Sequence, residues 1–342
     1  MSLNKGDTGE VQVENNNIDH AEKPKRGAFM SFCRKWWWAL LIVFAIGVLV
    51  VTLPLVLVGF PRIIQDKVNH STLSIDGISV TNTKSNTVLV SINSSVSSSN
   101  SIPAVVDGFD ARMYLEDKLP HTSIMTLKMP ETKTGLALVN VSQEITGANL
   151  QPFIDFNSWY LWNSSLLVTI EGETLVHVKG LKAAKVTFKK TVELKGINGF
   201  KGLEVTKANV TLGEGDNFHG FANIPNPSIL TFEVGNATFG NYFNSSKIGT
   251  LYIDDMFIRP GINNVSVRAT IEQGPVLTAL TMEPYCKNGI LPFELIGESV
   301  VNHGEKLAYF EEPLSLYAQK TEIGVGAALK ETLGADVAKC PS

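Results

Sequence analysis

The sequence predicts a mainly β protein, with one N-terminal transmembrane helix followed by two tandem antiparallel β-sandwich domains. Three observations lead there. An uncharged run, WWWALLIVFAIGVLVVTLPLVLVGF, extends from Trp36 to Phe60. Beyond it, short segments alternate apolar and polar residues between turn formers. Three small motifs then recur at a spacing close to 125 residues.

Residues 36–60 form the membrane span. At about 1.5 Å rise per residue the run crosses a hydrocarbon core of roughly 30 Å with some tilt. Trp36, Trp37 and Trp38 suit the headgroup interface, and Pro54 is a kink that membrane helices tolerate. Lys23, Lys25, Arg26, Arg34 and Lys35 precede the span, whereas only Arg62 and Lys67 lie within the same reach beyond it. This asymmetry predicts a single-pass type II protein, with residues 1–35 as a disordered cytosolic tail. The N-x-S/T sequons at Asn69, Asn93, Asn140, Asn163, Asn209, Asn236, Asn244 and Asn264 all follow the span. Chance alone makes about three or four such triplets, so their one-sidedness is the informative feature. Cys33 is a candidate palmitoylation site beside the span. Cys286 and Cys340 fall together on the lumenal side as a candidate disulfide, which would tie the tail to the second sandwich.

Residues 61–68 read as a lead-in helix. The following alternation is that of half-buried antiparallel strands, as in Val88-Leu89-Val90-Ser91-Ile92, Val186-Thr187-Phe188 and Ile229–Val234. Asn198-Gly199, Pro260-Gly261 and Gly274-Pro275 supply turns, and Ser94–Ser101 reads as a solvated loop. Helical periodicity outside the span is confined to the lead-in and to a small helix near Ala327–Val337. Ile78-Ser79-Val80 matches Leu203-Glu204-Val205, Val139–Ser142 matches Asn263–Ser266, and Glu171–Thr174 matches Ile296–Ser299. Their order and near-constant offset place the two domains at 69–196 and 197–322, before a tail over 323–342.

The stretch from His219 to Leu280, which contains HGFANIPNPSILTFEVGNATFG and then KIGTLYIDDMFIRPGINNVSV, carries a family resemblance. It resembles fungal single-pass membrane proteins with a late-embryogenesis-abundant type 2 (LEA-2) style β-sandwich, a group of unknown function. The wider group includes the vacuolar membrane protein that terminates autophagy. The matching pieces are the Asn226-Pro227-Ser228 turn, Gly235–Thr238 and Pro260-Gly261-x-Asn263. Asn226 can close an Asx turn while Pro227 removes a donor at the strand end. The first-domain counterpart is Asn93-Ser94-Ser95, which lacks the proline. The resemblance implies a vacuole membrane location, with the plasma membrane or another endomembrane as alternative, and a lipid-binding groove in the sandwich.

No catalytic, metal or cofactor set is read from the residues. G-x-S-x-G is absent, no S-x-x-K occurs with its companion motifs, and His20, His70, His121, His177, His219 and His303 lie too far apart for ligand spacing. His177 reads as a solvent-facing strand residue. Asp254 and Asp255, as strand neighbours, should point to opposite faces. Gly213-Glu-Gly215 and Gly324-Val-Gly326 lack a nucleotide-loop context and read as turns. A net charge of −4 without a basic stripe disfavours nucleic acid. Two non-enzymatic readings stay open. One is a membrane-anchored lipid-binding or lipid-transfer protein, with Leu166-Leu167-Val168 and Leu138-Val139 as the nearest groove candidates. The other is a structural or adaptor protein that binds a protein partner through its ectodomain or cytosolic tail.

Overall fold

A computed structural model describes residues 26–98, 103–147, 150–334 and 336–340. It divides into two units, Met1–Leu57 and Val58–Ser342. The tail expected over 1–35 falls outside the described residues as far as residue 25, and helical backbone begins at Arg26. Helix α1 (Arg26–Pro54) buries none of its described side chains. The helical stretch beginning at Trp37 is long and apolar enough to cross a membrane, with mean hydropathy 3.1. A π-helical turn, Leu55–Gly59, directly follows Pro54, whose missing N–H interrupts the i→i−4 ladder.

In the second unit, α2 (Phe60–Asn69) leads into β1 (Thr72–Thr81), β2 (Thr87–Ser97), β3 (Ala104–Val106), β4 (Phe109–Leu115), β5 (Met125–Met129), β6 (Thr132–Lys133) and β7 (Leu136–Thr146). Helix α3 (Leu150–Trp162), β8 (Ser165–Val178) and β9 (Ala184–Lys195) complete the first half. The second half contains β10 (Glu204–Val210), β11 (Phe218–Asn226), β12 (Leu230–Phe243), β13 (Ser246–Ile258), β14 (Gly261–Ile271) and α4 (Gln273–Ala279). It ends with β15 (Ile290–Asn302), β16 (Glu305–Lys306), α5 (Ala308–Ser315), β17 (Gln319–Gly324) and α6 (Val325–Leu333). The strands keep the period-2 burial that their sequences predict: alternate residues of β5 and β11 are buried. The protein is mainly β, built from two sheets.

The larger sheet runs β10-β11-β14-β13-β12-β1-β2-β7, with β15 on β12 and β17 on β15. The second runs β5-β4-β8-β3-β6, with β9 on β8. The sequence repeat has a direct counterpart in the pairing. β7 and β14 start 125 residues apart, as do β8 and β15. In each half a three-stranded antiparallel ladder forms in the same order, β1-β2-β7 and β10-β11-β14. β4 and β12 each pair with the strand that follows a linking helix, β8 and β15. The Glu171–Thr174 and Ile296–Ser299 motifs sit on those strands for a steric reason. A Cβ at Gly172 would lie 2.6 Å from the Asp110 carbonyl, and one at Gly297 would lie 2.6 Å from Leu314 Cβ on α5.

Strands from both halves share the larger sheet through one short parallel ladder, Ile78↔Leu230 to Val80↔Phe232 between β1 and β12. A polar seam extends it. Buried Thr83 donates to the Glu233 carbonyl (3.1 Å), and Asn302 Nδ2 donates to Thr83 Oγ1 (2.7 Å) and Glu233 Oε1 (3.0 Å). Tyr309 donates from its hydroxyl to the Lys84 carbonyl (2.9 Å).

Several local expectations are corrected. Helices α3, α4 and α5 were not foreseen. α3 is rich in aromatics, which favour strands, yet Phe153, Ile154, Phe156, Asn157, Tyr160 and Leu161 are buried at the spacing of one helical face. Gly274-Pro275 lies in the first turn of α4, where proline's missing donor is harmless. Ser94–Ser97 belong to β2, where buried Ser94 donates to the Val139 carbonyl (2.7 Å); residues 99–102 lie outside the described part. Gly324-Val-Gly326 is a β17–α6 junction in which a Cβ at Gly326 would lie 2.9 Å from Gly289 Cα, and the Gly326 N–H bonds the Gly289 carbonyl at 2.9 Å. Asn93 sits mid-strand opposite Asn140, so it is the counterpart of Asn223, which faces Asn264, and not of the Asn226 turn.

Gly297→Val should destabilise the second unit by at least about 2 kcal/mol, because backbone and Leu314 leave no room. Gly77→Ala, where nothing lies within 4 Å of the new atom, should be near neutral in the same urea titration.

Candidate functional site

The Asn226-Pro227-Ser228 turn is a closed, buried network. Asn226 Oδ1 accepts from the Ser228 N–H (3.1 Å), the Ser228 hydroxyl (2.7 Å) and the Tyr160 hydroxyl of α3 (3.1 Å). Its Nδ2 donates to the Leu230 carbonyl at 2.7 Å. Burial pushes the Tyr160 phenol well above its usual range, so it stays a neutral donor. The motif is an anchor for α3, with no free group for chemistry.

All eight sequon asparagines are exposed. Asn93, Asn140, Asn209 and Asn264 lie on strands of the larger sheet, with Asn93 directly opposite Asn140. Asn69 ends α2, Asn163 follows α3 and Asn244 is in the β12–β13 turn. Asn236 occupies a bulge, where its Oδ1 accepts from the Asp255 N–H (2.9 Å). No sequon asparagine lies on β3–β6, β8 or β9. Cys286 and Cys340 are bonded, with Cα atoms 4.9 Å apart. Cys33 lies on the backbone of α1.

The histidines remain dispersed, and His20 lies outside the described residues. His177 is exposed and pairs with Asp107 (2.9 Å), and His303 meets Glu233 at 3.2 Å. Asp254 and Asp255 are both exposed, contrary to the opposite-face expectation, because a bulge puts Asp255 at φ 48°. Asp254 pairs with Arg268 (2.9 Å), which also holds Asp216 at 2.9 Å. Among the described residues no group of three or more His, Cys, Asp or Glu could hold a metal ion.

Four carboxyls are held below their ordinary range. Hydrogen bonds from Tyr114 and then Arg112 lower Glu171, and the Arg268 hydrogen bond lowers Asp216. The Ser85 hydroxyl and N–H lower Glu305. Burial alone would raise Glu233, but hydrogen bonds from Asn302, the Asn82 N–H and His303 outweigh it.

Two apolar cavities have the character of binding sites. The first, about 100 Å³, lies between α2 and the first half. Ile64 and Val68 of α2 form one wall; Ala104, Phe109, Met129, Val139, Val176 and Phe188 form the others. Lys67 and Lys133 line it, both exposed, and no carboxylate does. Helix α2 is fastened to the free edge of β9. The Gln65 amide donates to the Thr187 carbonyl and accepts from its N–H, both at 2.8 Å, substituting for a neighbouring strand. Lys190 Nζ donates to the Asn69 (2.8 Å) and Ser71 (2.5 Å) carbonyls at the C-terminal end of α2, and burial lowers its pKa. Of the groove residues suggested by sequence, Val139 lines this cavity. Leu138 is 74% exposed on the other face, and Leu166 and Val168 are buried in the core.

The second cavity, about 50 Å³, lies in the second half beneath α4 and α6. Its walls include Phe218, Leu251, Phe293, Leu295, Val276 and Leu329, with the buried polar side chains Asn217, Asn241 and Thr321. No single stretch of sequence signals either cavity, because each is lined from many elements.

A family model described as a protein of unknown function (DUF3712) matches residues 122–241, about a third of the chain. The matched stretch includes α3, Gly172 and the Asn226-Pro227-Ser228 turn, whereas α2 and both bridged cysteines lie outside it. No curated protein matches.

Tyr160→Phe should cost about 1 kcal/mol in urea unfolding, because one buried donor to Asn226 is lost. Depressed carboxyl pKa values stabilise the fold above the ordinary carboxylate range of about 4, and this is lost as pH falls through the lowered folded values. Melting temperature should therefore hold steady from about pH 7 to 5 and drop below about pH 4. Glu233→Gln should make that acid-side drop smaller.

Proposed function

We propose that this chain is a non-catalytic, membrane-anchored lipid-binding protein, whose cavity beneath α2 takes the acyl portion of a lipid with an anionic headgroup. The carrying observation is the cavity itself: apolar walls, two lysines and no carboxylate at the opening. At about two-thirds of the ~150 Å³ that holds benzene in an engineered protein cavity, it suits a stretch of acyl chain better than a whole lipid. Each methylene that enters contributes about 0.8 kcal/mol. Lys67 and Lys133, which form no ion pair among the described residues, are available to a phosphate or carboxylate. Helix α2 follows the apolar helix directly in the chain, so a lipid site there adjoins the anchor in sequence.

The anchor reading is a single-pass type II glycoprotein. Support comes from the basic residues before Trp36 and the exposure of all eight sequon asparagines beyond it. The LEA-2 resemblance favours the vacuole membrane of a fungus, with the plasma membrane or another endomembrane as alternative. A second reading, a protein partner, draws on the sheet that carries β4, β5, β8 and β9. Its strands hold no sequon asparagine and expose Leu175 and His177.

The test uses the full chain in detergent with a diazirine-bearing fatty acid, mapping adducts by peptide mass spectrometry. Adducts should fall on α2, β3, β7 and β8, and Val176→Trp should reduce them at least about tenfold while costing about 1–3 kcal/mol of stability. Labelling confined to residues 36–60 would overturn the lipid reading. Glycosidase treatment of the same preparation should lower its apparent mass; a protein without N-glycans defeats the topology.

A further inference from the structure

The second cavity differs from the first in chemistry. None of its lining residues is charged. Three of its polar side chains are more than nine-tenths buried. Asn217 is fully engaged: Nδ2 donates to the Ile271 carbonyl (2.8 Å), and Oδ1 accepts from the Ile271 N–H (2.9 Å). Gln273, at the edge, donates to the Thr211 (3.2 Å) and Gly213 (3.1 Å) carbonyls. Asn241 Oδ1 and Thr321 Oγ1 have no hydrogen-bond partner, although Asn241 is 3% and Thr321 4% exposed. Both lie on strands flanking β15, Asn241 opposite Leu295 and Thr321 opposite Phe293. An unmet buried polar atom is costly in an all-apolar setting, and here two of them line open space.

We propose that this cavity is a second binding site, independent of the one beneath α2, for a neutral, unbranched aliphatic alcohol whose hydroxyl meets Asn241. The unmet atom of Asn241 is an acceptor, Oδ1, so the ligand must donate, and a hydroxyl is a neutral group that does so. A carboxylate or ammonium is disfavoured because no opposite charge is present to offset its desolvation. A ring system is disfavoured by size: about 50 Å³ is a third of the ~150 Å³ that holds benzene. The tail leaves past Leu212, which is 53% exposed, and Leu277 of α4. Thr321, two strands from Asn241, takes a water that enters with the ligand.

Calorimetric titration of the full chain in detergent with n-nonanol and with methyl octyl ether tests this directly. The two probes have equal numbers of heavy atoms, and only the alcohol can donate. The alcohol should bind about tenfold more tightly, the scale expected for one buried hydrogen-bond group met against unmet. Asn241→Leu should erase that preference. Leu277→Trp, at the half-exposed opening, should weaken both probes with the fold intact. Val176→Trp, which fills the other cavity, should change neither, so failure of one site is distinguishable from failure of the other. Equal binding of alcohol and ether by the unaltered chain overturns the proposal. So does a preference that survives Asn241→Leu, or a crystal soaked with nonanol that shows water alone.

Discussion

The fold depends on one helix of the first half being part of the core of the second. α3 sends Phe153 against Tyr309 (5.5 Å between ring centres) and Tyr160 against Phe232 (5.0 Å). Trp162 donates from its indole to the Pro313 carbonyl at 2.8 Å, and Asn157 Nδ2 donates to the Tyr309 carbonyl at 2.7 Å. Each aromatic side chain buries a large apolar area, and each polar tip must find a partner once it leaves water. The partners sit on α5 and on the Asn226 turn, so α3 and the second half fix one another. The chain leaving α3 and β9 is equally constrained: a Cβ at Gly196 would fall 2.1 Å from the Asn163 carbonyl.

Around that contact the two halves use the same pairing scheme with different closures. In the second half β13 pairs with β14, which links the two ladders directly. In the first half the corresponding strands β5 and β7 do not pair. Gln143 of β7 spans the gap, accepting from the Lys128 N–H (2.9 Å) and donating to the Thr126 carbonyl. A side-chain amide here replaces one rung of a backbone ladder. The first half is thereby more open at β5 and β7, and its cavity lies near the strand ends that the missing ladder leaves apart.

Much of this was legible in the sequence because it rests on local periodicity. Alternation marks β2, β9 and β12, and the repeat marks equivalent strands because Gly172 and Gly297 each lie where a Cβ has no room. The Asx turn at Asn226 was readable; its burial was not, since that depends on Tyr160, 66 residues earlier. Helix α3 was missed for a competing reason. Its run LQPFIDFNSWYLW combines a proline with aromatics of high strand propensity, and its helical face is set by tertiary contacts with α5. Ser94–Ser97 misled in the opposite direction. Serine composition suggested a loop, yet pairing with β7 and one buried hydroxyl bond hold them in the sheet.

The difference between the cavities follows from the helix that links equivalent strands. α3 joins β7 to β8 and brings Phe153, Phe156, Trp159, Tyr160 and Trp162; α4 joins β14 to β15 and brings no aromatic residue. Val276, Leu277 and Ala279 are too small to fill the end of the second half, and space remains above Asn241. At the other end of the first half, α2 closes the sandwich from outside and carries the exposed Lys67. One cavity therefore gains Lys67 from its lid and Lys133 from β6, whereas the other is lined by uncharged groups alone. Two cavities of different electrostatic character arise from one repeated topology because the helices, more than the strands, determine what is left unfilled.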